Sequence, residues 1–203
     1  MIVIIDYGMG NLGSILNMIK KVGSEAIISS KPKDLVNADK YILPGVGAFD
    51  VGIKNLVQRG IKEILDEQIL VKKKPILGIC LGMQLMTKSS EEGILPGLSW
   101  IDADTTKFDF TNHILKIPHM GWNYVELKKN SLLFQDTEQD PRFYFVHSYK
   151  VKCNNAQDIL TTTNYAHEFV SSFQKENIYG TQFHPEKSHK YGIRLIKNFV
   201  ELG

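Results

Sequence analysis

The chain has 203 residues, 43% hydrophobic and 23% charged, with 24 basic residues against 22 acidic ones. A length of this order builds one domain around one core, so residues 1–203 are read as a single domain. The near balance of charge leaves no field of one sign to hold nucleic acid or an anionic membrane, and no apolar run approaches the roughly 20 residues of a membrane-spanning helix.

The N-terminus, Met1-Ile2-Val3-Ile4-Ile5-Asp6, is too short in apolar residues and lacks the basic start of a signal peptide. A cytoplasmic protein is expected. Residues 2–6 are predicted as a buried strand and 8–13 as a glycine-rich turn. A helix is predicted over 12–22, where Leu12, Ile15, Leu16, Ile19 and Val22 recur near the helical period. Strands follow over 26–29 and 40–43, with Pro32 and Asp34 between them as turn or helix-start signals. The break Pro44-Gly45-Val46-Gly47 precedes one predicted helix over 51–69, and 75–79 reads as a fully buried central strand. Short strands alternating with helices predict an α/β fold with a mostly parallel sheet flanked by helices. From Gly93 to about residue 178 the periodicity changes, and glycines, prolines and short alternating runs predict added antiparallel strands in the second half. A last helix is expected over 189–202.

Residues 77–84 read Leu-Gly-Ile-Cys-Leu-Gly-Met-Gln. This G-x-C-x-G pattern is the thiol counterpart of the hydrolase elbow, in which small neighbours allow a strained corner between strand and helix. A helix starting there aims N–H groups at the Cys80 sulfur, and the N–H of Leu81 can bind an oxyanion. The alternative is that Cys80 is a small buried hydrophobe. Cys153 has no such turn around it and is assigned to that second class. The two cysteines form neither a disulfide framework nor a CxxC pair.

Near the other end stands Gln182-Phe183-His184-Pro185-Glu186-Lys187-Ser188. His184 and Glu186 are two apart, so in an extended segment both leave the same face, and Pro185 disfavours helix. A carboxylate beside an imidazole fixes its tautomer and stabilises its protonated form, as a base paired with a cysteine requires. The metal alternative, built on His184, Glu186 and His189, has no supporting ligand motif, and no metal is expected.

The segment Gly8-Met9-Gly10-Asn11-Leu12-Gly13 satisfies the G-x-G-x-x-G of dinucleotide-binding turns. The acidic residue expected at the end of the second strand is absent, with Asp34 lying beyond it. The glycines are therefore read as a tight turn where another surface comes close, and no cofactor is expected. The loop after the third strand, at Gly45 to Gly47, offers a second oxyanion N–H or an ordinary turn.

G-I-C-L-G-M-Q at 78–84, followed a hundred residues later by Q-F-H-P-E-K-S at 182–188, resembles the class I (triad) glutamine amidotransferases. Further motifs, at 5–11, 44–49, 118–123 and 144–149, resemble the branch of that family that works beside a cyclase. The resemblance implies a flavodoxin-like sheet and hydrolysis of L-glutamine to ammonia. It also implies a heterodimer with a (β/α)8-barrel cyclase subunit that consumes the ammonia. On this resemblance Cys80 is the nucleophile, His184 the acid and base, and Glu186 its orienter; Leu81, Val46 and Gly47 serve the oxyanion. Gly47, Gln84, Glu92, Ser148 and Tyr149 would hold glutamine, and Asn11, Trp122, Tyr144 and Lys187 would lie near the cyclase. A paralogue that feeds a sugar-modifying amidotransferase of surface polysaccharide synthesis would carry the same local chemistry. A nucleotide-binding or regulatory module with an inert Cys80 is the rival of another class, and a stand-alone cysteine hydrolase that needs no partner is a third.

Overall fold

The computed structural model describes residues 1–109 and 115–202. The first half alternates strand and helix: β1 (Ile2–Ile5), α1 (Leu12–Lys21), β2 (Ala26–Ser29), α2 (Pro32–Asn37), β3 (Lys40–Gly45), α3 (Phe49–Gln58), α4 (Ile61–Asp66), β4 (Ile76–Cys80) and α5 (Leu81–Leu85). The second half is mostly strand. It contains β5 (Ser89–Ser90), β6 (Ala103–Lys107), β7 (His119–Tyr124), β8 (Glu126–Leu127), β9 (Arg142–His147), β10 (Tyr149–Cys153), β11 (Ile159–Tyr165), β12 (His167–Lys175) and β13 (Ile178–Thr181), and ends in α6 (His189–Glu201).

Parallel pairing runs β2-β1-β3-β4-β13, the strand order of a flavodoxin-like sheet. Antiparallel β12, β10 and β6 extend the same sheet, so the two halves share one continuous hydrogen-bonded surface. Strands β7 and β9 form a separate antiparallel pair with Trp122 opposite Tyr144.

The parallel strands are apolar on both faces because helices cover both. Val3 and Ile5 face one cluster with Phe49, Leu56 and Leu65 of α3 and α4. Ile2 and Ile4 face the other, with Ile15 and Ile19 of α1 and Leu195, Ile196 and Phe199 of α6. This alternation places the whole of β1 inside; truncating the fully buried Ile4 to Ala would cost about 2–5 kcal/mol.

Three expectations are corrected. The helix expected over 51–69 is two helices and a π-helical segment, Glu67–Val71, because Gly60 takes a left-handed φ of 63° and ends the first. The third strand runs two residues further, through Pro44 to Gly45. The segment carrying His184 and Glu186 is extended only at His184, since Pro185 opens a 3-10 turn, Pro185–Lys187.

Candidate active site

The elbow at Cys80 is built by close backbone approach. Cys80 sits at φ 55°, ψ −111°, a region that costs a residue with a Cβ, and the packing on either side holds it there. A Cβ on Gly78 would lie 2.8 Å from the Gly82 carbonyl oxygen, and one on Gly82 only 1.8 Å from that of Leu43. Both glycines are thus required where α5 folds back over β3 and β4. The Cys80 sulfur lies 3.9 Å from the Val146 carbonyl oxygen and accepts from Gln182 Nε2 at 3.7 Å.

His184 is held from several sides. Its N–H donates to the Tyr144 carbonyl at 2.9 Å, and the Ser188 hydroxyl donates to its carbonyl at 2.6 Å while accepting from the Tyr144 N–H. Phe183 beside it is stacked on Phe143 with centroids 4.0 Å apart. The imidazole donates from Nδ1 to Glu186 Oε1 at 2.7 Å, with the two side chains only 2% and 4% exposed. The turn therefore delivers the pairing that an extended strand was expected to give. Burial works against a charged imidazole here, but the nearby sulfur of Cys80 and the hydrogen bond and charge of Glu186 prevail and hold His184 well above its ordinary range. His184 Nε2 and Glu186 Oε2 are buried with no hydrogen-bond partner among the described residues.

Beside the sulfur lies a cavity of about 330 Å³ lined by Val46, Gly47, Cys80, Leu81, Gln84 and Glu92 and closed by the segment from Val146 to Tyr149. All five residues expected to hold substrate meet in it. Glu92 accepts the N–H of Phe49 at 3.0 Å; burial lifts its carboxyl above the usual range although that hydrogen bond pulls the other way. Gln84 is committed to the wall: its Nε2 donates to the Tyr149 carbonyl at 3.2 Å and to Gln182 Oε1 at 2.9 Å. Gln182, fully buried, thus links Gln84 to the sulfur. Sequence reading missed this role: Gln182 opens the Gln-Phe-His-Pro-Glu-Lys-Ser motif just past β13, but nothing in the string shows its side chain reaching Cys80 and Gln84.

Trp122, Tyr144 and Lys187 come together outside the cavity. The Trp122 and Tyr144 rings are 6.4 Å apart at their centroids, and Lys187 Nζ stands 5.6 Å over the Tyr144 ring. Met120, Trp122 and Tyr124 alternate along β7, all exposed. Asn11 caps α1 by accepting the Ser14 N–H at 3.3 Å, and α1 packs against the turn that carries Lys187. The surface that closes on the Gly8-to-Gly13 turn is this chain's own: a Cβ on Gly10 would lie 3.2 Å from Pro44 Cβ. Among the described residues no group of His, Cys, Asp and Glu is arranged to hold a metal ion. Burial pushes the Cys153 thiol up to about 12, as suits a packed rather than reactive cysteine.

The model of the class-I glutamine amidotransferases matches residues 3–202. The chain belongs to the class-I glutamine amidotransferase family. It is 55% identical over 201 residues to imidazole glycerol phosphate synthase subunit HisH 2 of Methanococcus maripaludis, covering 99% of each chain. It is 48% identical over 202 residues to the subunit of the same name in Pseudomonas aeruginosa, with all of both chains covered. A solved glutamine amidotransferase superimposes with a TM-score of 0.74 at 17% identity, over 98% of this chain and 97% of that one, a likeness of fold. The family's fold, a mostly parallel sheet with an antiparallel extension, is the one seen here.

Proposed function

We propose that the chain is the glutaminase subunit of imidazole glycerol phosphate synthase, with Cys80, His184 and Glu186 as its triad. The observation that carries this is the strained Cys80 in the cavity wall, close enough to the buried His184–Glu186 pair to act on the imidazole. The full-length relatives favour the cyclase-coupled reading, a step of histidine biosynthesis, over the polysaccharide one, since those at 41–55% identity carry the name of imidazole glycerol phosphate synthase subunit HisH.

In this reading the Cys80 thiolate attacks the side-chain carbonyl of L-glutamine, held by Gly47, Gln84, Glu92, Ser148 and Tyr149. The oxyanion is met by the Leu81 N–H and an N–H of the Val46–Gly47 segment. His184, protonated and aligned by Glu186, gives its proton to the departing nitrogen, and ammonia leaves a thioester on Cys80. Water deprotonated by His184 then releases glutamate. Ammonia protonates in bulk water, so a closed path to a (β/α)8-barrel cyclase subunit follows, with Asn11, Trp122, Tyr144 and Lys187 at the joint. The exposed aromatic and methionine stripe on β7 supports a protein partner there. No helix among the described residues is long and apolar enough to cross a membrane; the heterodimer is proposed to be cytoplasmic.

The test is labelling with a diazoketone analogue of glutamine in the presence of the cyclase subunit, followed by peptide mapping. Modification of Cys80 alone, with loss of glutamate release, is the expected result. Full glutaminase activity after Cys80 is blocked would overturn the assignment.

A further inference from the structure

Between the cavity and strand β7 runs a chain of hydrogen bonds that this chemistry does not use. His147 Nδ1 lies 2.7 Å from the Tyr149 carbonyl oxygen, His119 Nδ1 lies 3.0 Å from His147 Nε2, and Asn123 Nδ2 lies 3.2 Å from His119 Nε2. A carbonyl oxygen only accepts, so His147 carries its proton on Nδ1. Its Nε2 is then the acceptor, which puts the proton of His119 on Nδ1 as well. Asn123 donates to the remaining Nε2 and also to the Asn164 carbonyl at 3.0 Å. Along the path Asn123–His119–His147 one donor of each residue points towards Tyr149.

This order requires both rings neutral. Burial holds His119 down at about 4 and His147 at about 3. The rings are 2% and 6% exposed, amid Phe108, Phe145 and Phe169. Two imidazoles in such a collar cost desolvation that apolar rings would not, so packing alone does not account for them. The Tyr149 carbonyl they hold also accepts from Gln84, which ties it through Gln182 to the Cys80 sulfur.

We infer that His119 and His147 are positioning residues for glutamine, fixing the Tyr149 carbonyl and with it the Gln84–Gln182 wall relative to strand β7. The inference rests on the glutaminase reading above and adds to it two residues outside the triad. It specifies which nitrogen matters. Asn at position 147 places its amide nitrogen where Nδ1 stands and keeps the bond to Tyr149. Gln places its amide near Nε2 and keeps only the contact with His119, whereas Phe keeps the ring packing and neither bond.

The experiment measures glutamine KM and kcat of the assembled complex, together with melting temperature, for His147→Asn, His147→Gln and His147→Phe. Ammonia-dependent synthesis serves as the control for assembly. Expected is a KM within about threefold of wild type for Asn and about ten- to a hundredfold higher for Gln and Phe, whatever the order of melting temperatures. A wild-type KM in His147→Phe, or KM values that follow melting temperature across the three, would overturn the positioning role while leaving the glutaminase reading intact. A wild-type complex that releases no glutamate from glutamine would overturn both.

Discussion

Gly45, the last residue of β3, is paired with Cys80, the last residue of β4, across the centre of the sheet. This register sets the Val46–Gly47 segment beside the nucleophile. Gly45 itself is pinned, since a Cβ there would lie 2.6 Å from Tyr7 Oη and 2.8 Å from Leu81 Cβ. Freedom is left to the next peptide: Val46 is exposed and Gly47 holds a left-handed φ of 120°.

If the Val46–Gly47 peptide is a movable oxyanion donor, the isolated chain is expected to be a poor glutaminase until the partner is loaded. Gly47→Ala both strains that φ and places its Cβ 2.6 Å from Met9 Cε. Glutamine-dependent turnover of the complex should fall about a hundred- to a thousandfold, with ammonia-dependent synthesis unchanged. Steady-state assays of both activities check this. A free wild-type chain as fast as the loaded complex would dispose of the gate.

Gly82→Ala tests the elbow as a packing device. Its Cβ would meet the Leu43 carbonyl oxygen at 1.8 Å, backbone against backbone, so relief requires moving β3 or α5. A loss of more than about 3 kcal/mol in urea unfolding is expected. Unchanged stability would mean that the corner is looser than its contacts imply.

The buried histidines set the acid limit of stability. An unfolded histidine titrates near 6.5, whereas His119 and His147 in the fold titrate at about 4 and about 3. Between those values the unfolded chain binds more protons, so stability falls as pH drops from about 6.5 towards 4, by up to about 1.4 kcal/mol per unit for each ring. His147→Phe should flatten that slope in urea titrations at pH 7, 6 and 5. His184 has the opposite sign: its raised value stabilises the fold fully below about pH 6.5, and this is lost as pH rises through the folded value. Cys80→Ala removes one of the two groups that oppose burial, and NMR titration should show the His184 imidazole losing its proton at lower pH.

Lys187→Ala removes the ammonium that stands over Tyr144 while leaving the turn that holds Glu186. Stimulation of glutaminase by the cyclase's ligand should weaken severalfold, with glutamine KM little changed, because an exposed cation–π contact contributes only about 0.5–1 kcal/mol to placing that surface. Unaltered stimulation would reduce Lys187 to a solvated cation.

How much of this was legible depended on whether a residue acts through its neighbours in sequence or in space. The parallel strands were readable because β1 and β4 are apolar on both faces, and the elbow because Gly78 and Gly82 flank Cys80 within five residues. The break at Gly60 was not, since one glycine within a periodic apolar run weakens a helix without announcing a left-handed cap. Gln182, His119 and His147 were invisible as a network because the links His119–His147 and Gln182–Cys80 span 28 and 102 residues, closed by the pairing of β7 with β9 and of β13 with β4. Ser188 ends the His-Pro-Glu-Lys-Ser motif, but nothing in the string showed its hydroxyl bridging His184 to Tyr144.

The most direct measurement is synthesis by the complex of Cys80→Ala with the proposed cyclase subunit, assayed once with glutamine and once with ammonium salt. If Cys80 serves ammonia release alone, the glutamine-dependent reaction disappears and the ammonium-dependent one proceeds at the wild-type rate. Glutamine-dependent synthesis that survives the substitution, or loss of both activities, would contradict that role.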